Sequence, residues 1–478
     1  MKNRIAIWAA ILGIVWTNRN SPLLEANGIE MLVCAVLFFL CVYPAVRWLR
    51  SPQKPLPVFE LYCLVHLVYY LQPYIDGKPA LLAFPESVRV VAGLATIAFL
   101  ASATLIFIAR DRGGQSTGSS NPIMRREIPT GSDSWFSIGL GLWLAYNLAS
   151  TLGVFPDVGD WRNVFVTVST AAGILATFHF FYAIGNRRLG GSASAIAIVV
   201  VVIGVLINAS SGYLIGGILV LIVALIAYTV ASKRLPIVTA VVCLTLANFL
   251  HLGKGDMRAR FWGKTEAGAA FNPLVVFPFW VDASWGRLVA GTTSGASERT
   301  SLVTRASLAQ MLATVVDQTP DRLPYLAGQT FWQIPTLFVP RMLLRNKPNG
   351  NLPSETMAIY YGVQSDESVK STSIGMGQIA EAWANFGWIG IIVLGAFYGW
   401  LFSIPCGLTK SLAPSTLGYL LSAVSLVWAT DLEHGLGTFL VSLAQTVLMA
   451  GLLLYFVSKP ARITPVRRVA GHAIVSAR

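Results

Sequence analysis

The sequence predicts an all-α polytopic membrane protein with about twelve transmembrane helices and one large periplasmic loop. Of the 478 residues, 55% are hydrophobic and only 12% are charged, whereas soluble domains carry roughly 25% charged residues. This composition excludes an ordinary soluble enzyme. In addition, apolar runs recur with lengths that fit a bilayer, and Lys and Arg gather in alternate connections between them, as they do on the cytoplasmic side of membrane proteins.

The apolar runs give the positions of the predicted helices, since crossing a bilayer takes about 20 residues. A short run at 5–17 is the weakest of them, and a re-entrant segment is the alternative there. The residues after it provide no small-x-small cleavage site, so the first segment is predicted to be uncleaved. The other runs lie at 29–47, 55–75, 87–109, 135–153, 163–185, 193–210, 212–231, 235–251, 386–405, 413–430 and 437–457.

Charge sets the orientation of these helices, because basic residues are retained on the cytoplasmic side of short loops. The alternation places both termini in the cytoplasm and residues 252–385 in the periplasm of a bacterial inner membrane. Three regions follow: 1–251 with about nine spans, the loop 252–385, and 386–478 with three spans and a basic tail. The cytoplasmic groups are Lys2 and Arg4, Arg47, Arg50 and Lys54, Arg110, Arg112, Arg125 and Arg126, Arg187 and Arg188, Lys233 and Arg234, Lys410, and the tail after Lys459.

The net charge of +13 is explained by these topology signals rather than by a phosphate-binding stripe, so no nucleic-acid partner is predicted. The five cysteines lie within or beside apolar runs. None is spaced with Cys or His as in a zinc site. Neither a metal nor a cofactor is therefore predicted.

The long loop contains most of the candidate chemistry. It has twelve basic residues from Lys254 to Lys370 against ten acidic residues from Asp256 to Glu381. Its content of Trp and Phe is too high for a disordered segment, so we expect it to fold back on the membrane. Because cations are disfavoured on this side of the membrane, their number predicts an anionic partner. Arg258 and Arg260 are candidate phosphate ligands at its start.

Residues 301–316 have the pattern of an amphipathic helix, with an apolar stripe that also includes Arg305. One interpretation is that Arg305 extends along the membrane surface. The other is that it clamps a phosphate group, with Arg299 beside it at the edge of the stripe. The stripe consists of Leu302, Ala306, Ala309, Leu312, Ala313 and Val316.

The segment from Gly328 to Arg341 is apolar, interrupted by Pro335 and Pro340, and too short to span. It is typical of a re-entrant or interfacial segment. Its basic end is predicted to lie at the level of the lipid headgroups, where a lipid-linked diphosphate would bind. The basic residues there are Arg341, Arg345 and Lys347.

Polar residues precede the next apolar run. If a helix already runs there, Gln378, Glu381 and Asn385 share one face. A carboxylate at the membrane edge is costly unless it is paired or functional. Glu381 is therefore either a structural partner of a loop arginine or a catalytic base. Among the histidines, His251 and His434 face the periplasm in this topology.

Several motifs resemble the O-antigen polymerase (Wzy) family of repeat-unit polymerases. They are Gln329-Thr-Phe-Trp, the Pro-Arg341 element with Lys347-Pro, and Glu381-x-x-x-Asn-Phe-Gly at the entry to a span. The Ser210-Ser-Gly turn and the early Pro57-x-Phe segment are also similar. One departure is Tyr213, which stands where members of the family often have an arginine.

This resemblance implies a metal-independent, GT-C-like glycosyltransferase. It would move a growing glycan from polyprenyl (undecaprenyl) diphosphate to an incoming lipid-linked repeat unit at the periplasmic face. Arg341 would bind diphosphate, and Glu381 would be the base or an arginine partner. Trp332 and Trp383 would stack on sugars or anchor the interface, with Gln378 and Asn385 beside them.

Charge and position, rather than the resemblance, assign Arg305 to catalysis and Arg299, Arg258, Arg260, Arg345 and Lys347 to the diphosphate. The predicted partners are the lipid-linked oligosaccharide, the bilayer, a chain-length regulator and a flippase. Two alternatives remain open. A ligase would use much the same groups, and a transporter or flippase would place ionisable residues deep in several spans, where Glu60 is the exception in this sequence.

Overall fold

A computed structural model describes residues 28–51, 54–112, 121–129, 131–210, 214–261, 272–289, 307–339, 344, 347, 350–369 and 373–460. Within these ranges the regular structure is helical, apart from two isolated β-bridges that link Glu127 to Thr416 and Lys459. Seven helices in this part of the chain are long and apolar enough to cross a membrane. The all-α class is therefore confirmed, and the seven helices indicate a membrane protein.

The longer helices are numbered in chain order. Their bounds are α1 Gly28–Arg50, α2 Val58–His66, α3 Glu86–Arg112, α4 Asp133–Thr151, α5 Arg162–Gly185, α6 Gly191–Ser210, α7 Leu214–Ser232, α8 Ile237–Phe261, α9 Pro273–Val289, α10 Leu308–Gln318, α11 Leu352–Tyr360, α12 Gln378–Ser411, α13 Leu417–Trp428 and α14 Leu436–Val457. Shorter helical segments are Leu67–Leu71, which is π-helical, Gln72–Ile75, Pro79–Leu82, Gly159–Trp161, Gln329–Trp332, Ile334–Phe338 and Asp366–Val369.

The seven candidate spans are α1, α3, α5, α6, α8, α12 and α14. Helices also occupy the predicted runs at 55–75, 135–153, 212–231 and 413–430, but they are not among the seven. In the first of these runs, a π-helical stretch follows α2. The run at 5–17 lies outside the described residues. The number of twelve spans therefore remains a prediction.

Two glycines allow the backbones of α3 and α12 to touch at the centre of the bundle. A methyl group on Gly399 would lie 2.1 Å from the carbonyl oxygen of Ala103. One on Gly395 would lie 2.4 Å from the carbonyl oxygen of Phe99 and 2.2 Å from Oγ of Ser102. The two glycines are four residues apart and so face the same side of α12, which is the small-residue spacing of close contacts between membrane helices.

Ion pairs tie α3 to its neighbours at both ends. Near its start, the guanidinium of Arg89 on α3 donates to both carboxylate oxygens of the buried Glu30 on α1, at 2.8 and 3.0 Å. At its end, Asp111 pairs with Arg47 of α1 and Lys410 of α12. Polar contacts therefore join α3 to α1 at both ends and to α12 at one end, in addition to packing.

A bend divides α12 into two parts. Gly387 has a φ of 54° and a ψ of −135°, which is a conformation that only glycine adopts readily. A side chain there would also meet the hydroxyl oxygen of Tyr325, which would lie 2.7 Å from its Cβ. The predicted apolar run begins at 386, and the polar segment Gln378–Asn385 forms a separate helical portion before the bend. The bend therefore sets the direction in which this polar portion leaves the bundle.

Parts of the predicted loop pack on the bundle. Helix α8 continues to Phe261, beyond the predicted boundary at 251, and α9 packs on it with the indole of Trp280 donating to the Leu250 carbonyl at 2.6 Å. Helix α10 begins at its N-cap Ser307, whose hydroxyl accepts from the Gln310 amide at 3.2 Å. Its apolar face contacts α3 and α12.

The amphipathic pattern predicted for 301–316 corresponds to α10. Of the predicted stripe, Ala309, Leu312 and Ala313 are buried. The helix ends at Gln318 and buries Val315 more fully than Val316. Arg305, Leu302 and Ala306 lie outside the described residues. Because the buried face meets other helices, packing within the protein rather than the membrane surface accounts for the apolar stripe.

The contact between α3 and α12 gives a first prediction. Replacing Gly399 with alanine puts a methyl group against the Ala103 carbonyl and forces the helices apart, at a cost of about 1–3 kcal/mol. We expect a lower Tm in detergent, measured by thermal unfolding. Gly407→Ala on the same helix is the control, because nothing lies within 4 Å of the added methyl group. Equal Tm values for the two variants would refute the close contact.

Candidate functional site

The polar segment that opens α12 contains Gln378, which is buried and bridges two other elements. Its side-chain oxygen accepts a hydrogen bond from the Tyr62 hydroxyl at 3.0 Å. Its amide nitrogen donates to the Asp431 carbonyl at 2.7 Å. Both ends of the side chain are thus satisfied within the protein. Gln378 therefore joins α2 to the turn that connects α13 with α14.

Glu381 lies one turn further along the same helix and is only 1% exposed. Its Oε2 accepts a hydrogen bond from the backbone amide of Leu436 at 2.6 Å. Leu436 is the first residue of α14, so the carboxylate faces the positive end of that helix. A side chain at Gly435 would lie 2.8 Å from Oε2, which explains the glycine there. Oε1 has no hydrogen-bond partner among the described residues.

Asn385 completes the predicted polar face and is fully buried. Its amide nitrogen donates to the Thr330 hydroxyl and to the Glu381 carbonyl, both at 2.8 Å. Its oxygen accepts from the amide of Gly328 at 3.0 Å. Asn385 therefore holds the segment around residues 328–330 against the start of α12. Gly328 itself has a positive φ of 90°, which favours glycine.

An open cavity of about 820 Å³ adjoins this anchored segment. Aromatic rings form part of its wall, and the ring centroids of Phe331 and Phe386 are 6.0 Å apart. Trp332 also lines the cavity and is 87% exposed. Exposed aromatic rings beside a cavity suit the apolar faces of sugar rings or a lipid chain. The cavity residues are Leu326, Ala327, Gly328, Gln329, Phe331, Trp332, Gln333, Pro335 and Phe386.

Trp383, the other predicted sugar-stacking residue, lies in the protein interior instead of beside the cavity. Its indole is buried and donates a hydrogen bond to the Thr319 carbonyl at 3.2 Å. It packs edge-on against Trp388, with the two ring centroids 5.1 Å apart. Of the two predicted tryptophans, only Trp332 presents its ring to solvent in this structure.

The turn between α13 and α14 brings a histidine and a carboxylate together. Nδ1 of His434 lies 2.8 and 2.9 Å from the two oxygens of Asp431. Burial opposes the charge of the imidazole, but the hydrogen bond to Asp431 and the negative charges of Asp431 and Glu433 outweigh it and raise the pKa of His434. The pair is therefore an acid–base group with a fixed orientation.

Further polar residues are linked to this turn through Lys254 and Tyr69. Lys254 interacts electrostatically with Arg258 and Glu433. His251 interacts with Lys254, Arg258 and Lys78 in the same way, and the hydroxyl of Tyr69 donates to Glu433 at 2.9 Å. We call this group the outer polar cluster. It consists of Tyr69, Lys78, His251, Lys254, Arg258, Asp431, Glu433 and His434.

The structure does not bring the predicted diphosphate ligands together in one place. Arg258 belongs to the outer polar cluster. Arg260 instead places its guanidinium 4.5 Å from the ring centroid of Phe279 on α9, and the Lys347 ammonium donates to the Leu337 carbonyl at 2.6 Å. The remaining candidates lie outside the described residues. They are Arg299, Arg305, Arg341 and Arg345.

The sequence interpretation did not include Lys254 or Lys78 among the site residues. A signal for Lys254 exists, because His251, Lys254 and Arg258 follow at i, i+3 and i+7 and share one face of α8. Lys78 has no such signal, since it reaches the cluster from a separate connection. Across the described part of the chain, no group of three or more His, Cys, Asp or Glu residues is arranged to hold a metal ion.

The hydrogen bond of Glu381 gives a second prediction. Glu381→Ala leaves the Leu436 amide buried without its charged acceptor, at a cost of about 1.5–3 kcal/mol. We expect a clear drop in Tm in detergent. Glu381→Gln is the matched control, because its amide oxygen still accepts from Leu436 and its Tm should fall less. Wild-type stability of Glu381→Ala would show that the contact contributes nothing to the fold.

A comparison with models of protein families assigns the chain to one family. The family model described as Domain of unknown function (DUF8712) matches residues 128–426, which is more than half of the 478 residues. The match begins just before α4, ends within α13, and includes the start of α12 and the aromatic cavity. No curated protein and no solved structure matches the chain. The chain therefore belongs to the DUF8712 family.

Proposed function

We propose that this protein polymerises polyprenyl-diphosphate-linked oligosaccharide repeat units for a bacterial surface polysaccharide, such as an O-antigen, capsule or exopolysaccharide. It would transfer the growing glycan to a new lipid-linked unit at the periplasmic face. The observation that supports this most directly is the outer polar cluster, in which Lys254 interacts electrostatically with Glu433, the residue next to His434. This cluster and the aromatic cavity both adjoin the start of α12.

Glycan transfer requires cations near the leaving group and a proton acceptor near the attacking hydroxyl. The leaving group is a diphosphate, so cations must stabilise negative charge as the bond breaks. Lys254, Arg258 and Lys78 are suited to that role. In the proposal, Arg341 and the other arginines outside the described residues add further contacts to the diphosphate. The attacking sugar hydroxyl needs a proton acceptor, and the outer polar cluster also contains titratable side chains that can accept a proton. The transfer is proposed to need no metal.

The membrane topology is part of the proposal. It has twelve spans, a GT-C-like arrangement, both termini in the cytoplasm and the outer polar cluster in the periplasm. Support comes from the basic residues predicted to be cytoplasmic. Arg47 and Lys410, from distant connections, share Asp111, and Lys54 and Lys233 interact electrostatically. A common basic end agrees with the positive-inside rule. A chain-length regulator and a flippase are the proposed protein partners.

The resemblance to O-antigen polymerases agrees with the position of its motif. The Glu-x-x-x-Asn-Phe-Gly element contains Glu381 and Asn385, which connect the turn before α14 to the wall of the cavity. A ligase that adds finished glycan to another lipid would use similar groups. The number of additions, rather than the site, distinguishes the two activities.

One observation favours a second candidate function, transport. Glu60 on α2 is buried, and its Oε2 has no hydrogen-bond partner among the described residues. His66 on the same helix is 1% exposed. Ionisable groups in the interior of a membrane bundle often mark a proton or substrate path. A proton-coupled flippase for lipid-linked glycans would use such groups.

The third prediction concerns glycan transfer by the purified protein in nanodiscs. With a polyprenyl-diphosphate-linked repeat unit, we expect wild type to produce a ladder of glycans on a gel. Arg258→Gln and Lys254→Gln should each lower the rate about 10²–10³-fold, which is typical when a group that stabilises transition-state charge is removed. Arg322→Gln is the control, because it removes an exposed loop cation paired with Asp317.

The other outcomes separate the alternatives. A single addition without a ladder would identify a ligase. No transfer with any lipid-linked donor would refute both enzyme functions. Movement of the lipid-linked unit across proteoliposomes, lost in Glu60→Gln, would then support transport. A ladder that neither cation variant weakens would show that the diphosphate binds elsewhere.

A further inference from the structure

The geometry of His434 determines which of its nitrogens can accept a proton. Nδ1 lies 2.8 and 2.9 Å from the Asp431 oxygens. An ionised carboxylate only accepts hydrogen bonds, so the hydrogen of the neutral imidazole belongs on Nδ1. Nε2 then carries the free lone pair. The same orientation of histidine by a carboxylate prepares the base in catalytic triads.

The turn that carries the pair is held firmly. The Gly377 amide donates to the Glu433 carbonyl at 3.1 Å, and the Gln378 side chain donates to the Asp431 carbonyl at 2.7 Å. Glu381 holds the residue that follows the turn through the Leu436 amide. Because these groups belong to the start of α12, the backbone of the turn cannot shift without breaking buried hydrogen bonds, and Asp431 orients the His434 ring on it. Such support is what a catalytic group requires.

Exposure separates His434 from the buried groups around it. Its side chain is 48% exposed, whereas Glu381 is 1% exposed and already accepts from Leu436. A substrate hydroxyl approaching from outside can therefore reach the histidine but not the glutamate. The neighbouring residue Glu433 interacts electrostatically with Lys254. One of the cations proposed to bind diphosphate therefore interacts with the residue next to the exposed histidine.

We propose that His434 is the general base of the transfer and that Asp431 is its positioning residue. This inference rests on the proposed glycan transfer. As the hydroxyl oxygen of the acceptor sugar bonds to the anomeric carbon of the donor, the bond from that carbon to the diphosphate oxygen breaks. The hydroxyl proton passes to Nε2 of His434, and the diphosphate leaves with the bonding electron pair.

The resemblance implies that Glu381 is the base or an arginine partner, whereas this assignment gives the role of base to His434. The glutamate holds the turn by accepting the Leu436 amide, and the histidine performs the chemistry. A merely structural histidine–aspartate pair would also be consistent with the distances. The test therefore needs a readout that loss of structure does not produce, and restoration of the missing base by free imidazole is such a readout.

The fourth prediction uses the full-length protein in nanodiscs with the same lipid-linked repeat unit. We expect His434→Ala to slow transfer by about 10²–10⁴-fold, the usual contribution of a general base, and imidazole in the buffer to restore part of the rate. Asp431→Asn should also slow transfer, without response to imidazole, because the histidine remains in the wrong tautomer. The control is His179→Ala, which removes a comparable pair with Asp133 at 2.7 Å.

Each outcome has a definite meaning. Imidazole rescue of His434→Ala, with no effect of imidazole on His179→Ala, supports the base. If wild type forms the ladder and His434→Ala equals it, the inference fails while the polymerase function stands. The inference also fails if His434→Ala keeps the wild-type Tm, loses activity and does not respond to imidazole. If wild type transfers nothing, the proposed function itself fails.

Discussion

Polar side chains buried at the start of α12 must find hydrogen-bond partners, because an unpaired amide or carboxylate in the interior costs several kcal/mol. Gln378 satisfies this requirement with Tyr62 and the turn between α13 and α14, and Glu381 satisfies it for Oε2 with the first amide of α14. Asn385 satisfies it with the segment at Gly328 and Thr330. One short helical portion therefore determines where two distant segments of the chain lie, and both contain the groups that we connect with function.

The packing of α12 makes this arrangement possible. Gly395 and Gly399 bring its backbone onto α3, so the membrane-embedded part has little freedom to rotate or slide. Gly387 then bends the helix at the boundary between its apolar and polar portions. A straight helix would instead carry the polar residues along the line of the span. Three glycines, each required by backbone geometry, thus orient the polar portion.

Hydropathy and helical spacing predicted the features that depend on local sequence. They gave the positions of most helices and the common face of Gln378, Glu381 and Asn385, because these follow from periods of 3.6 residues. They did not predict the burial of Trp383, whose partner Thr319 is 64 residues away. The proximity of Lys254 to the turn at Glu433 was missed for the same reason. Contacts between distant segments depend on packing, which no local pattern encodes.

Whether an acidic or basic side chain can react depends less on its residue type than on two other properties. These are its exposure to solvent and whether its acceptor atom already accepts a hydrogen bond within the protein. A buried carboxylate whose oxygen already accepts a backbone amide is stabilised as an acceptor, and taking up a substrate proton would weaken that bond. An imidazole with one nitrogen held by a carboxylate keeps the other nitrogen available. Glu381 and His434 illustrate this contrast on two sides of the same turn. A motif glutamate can therefore be essential to a site by holding the residue that acts.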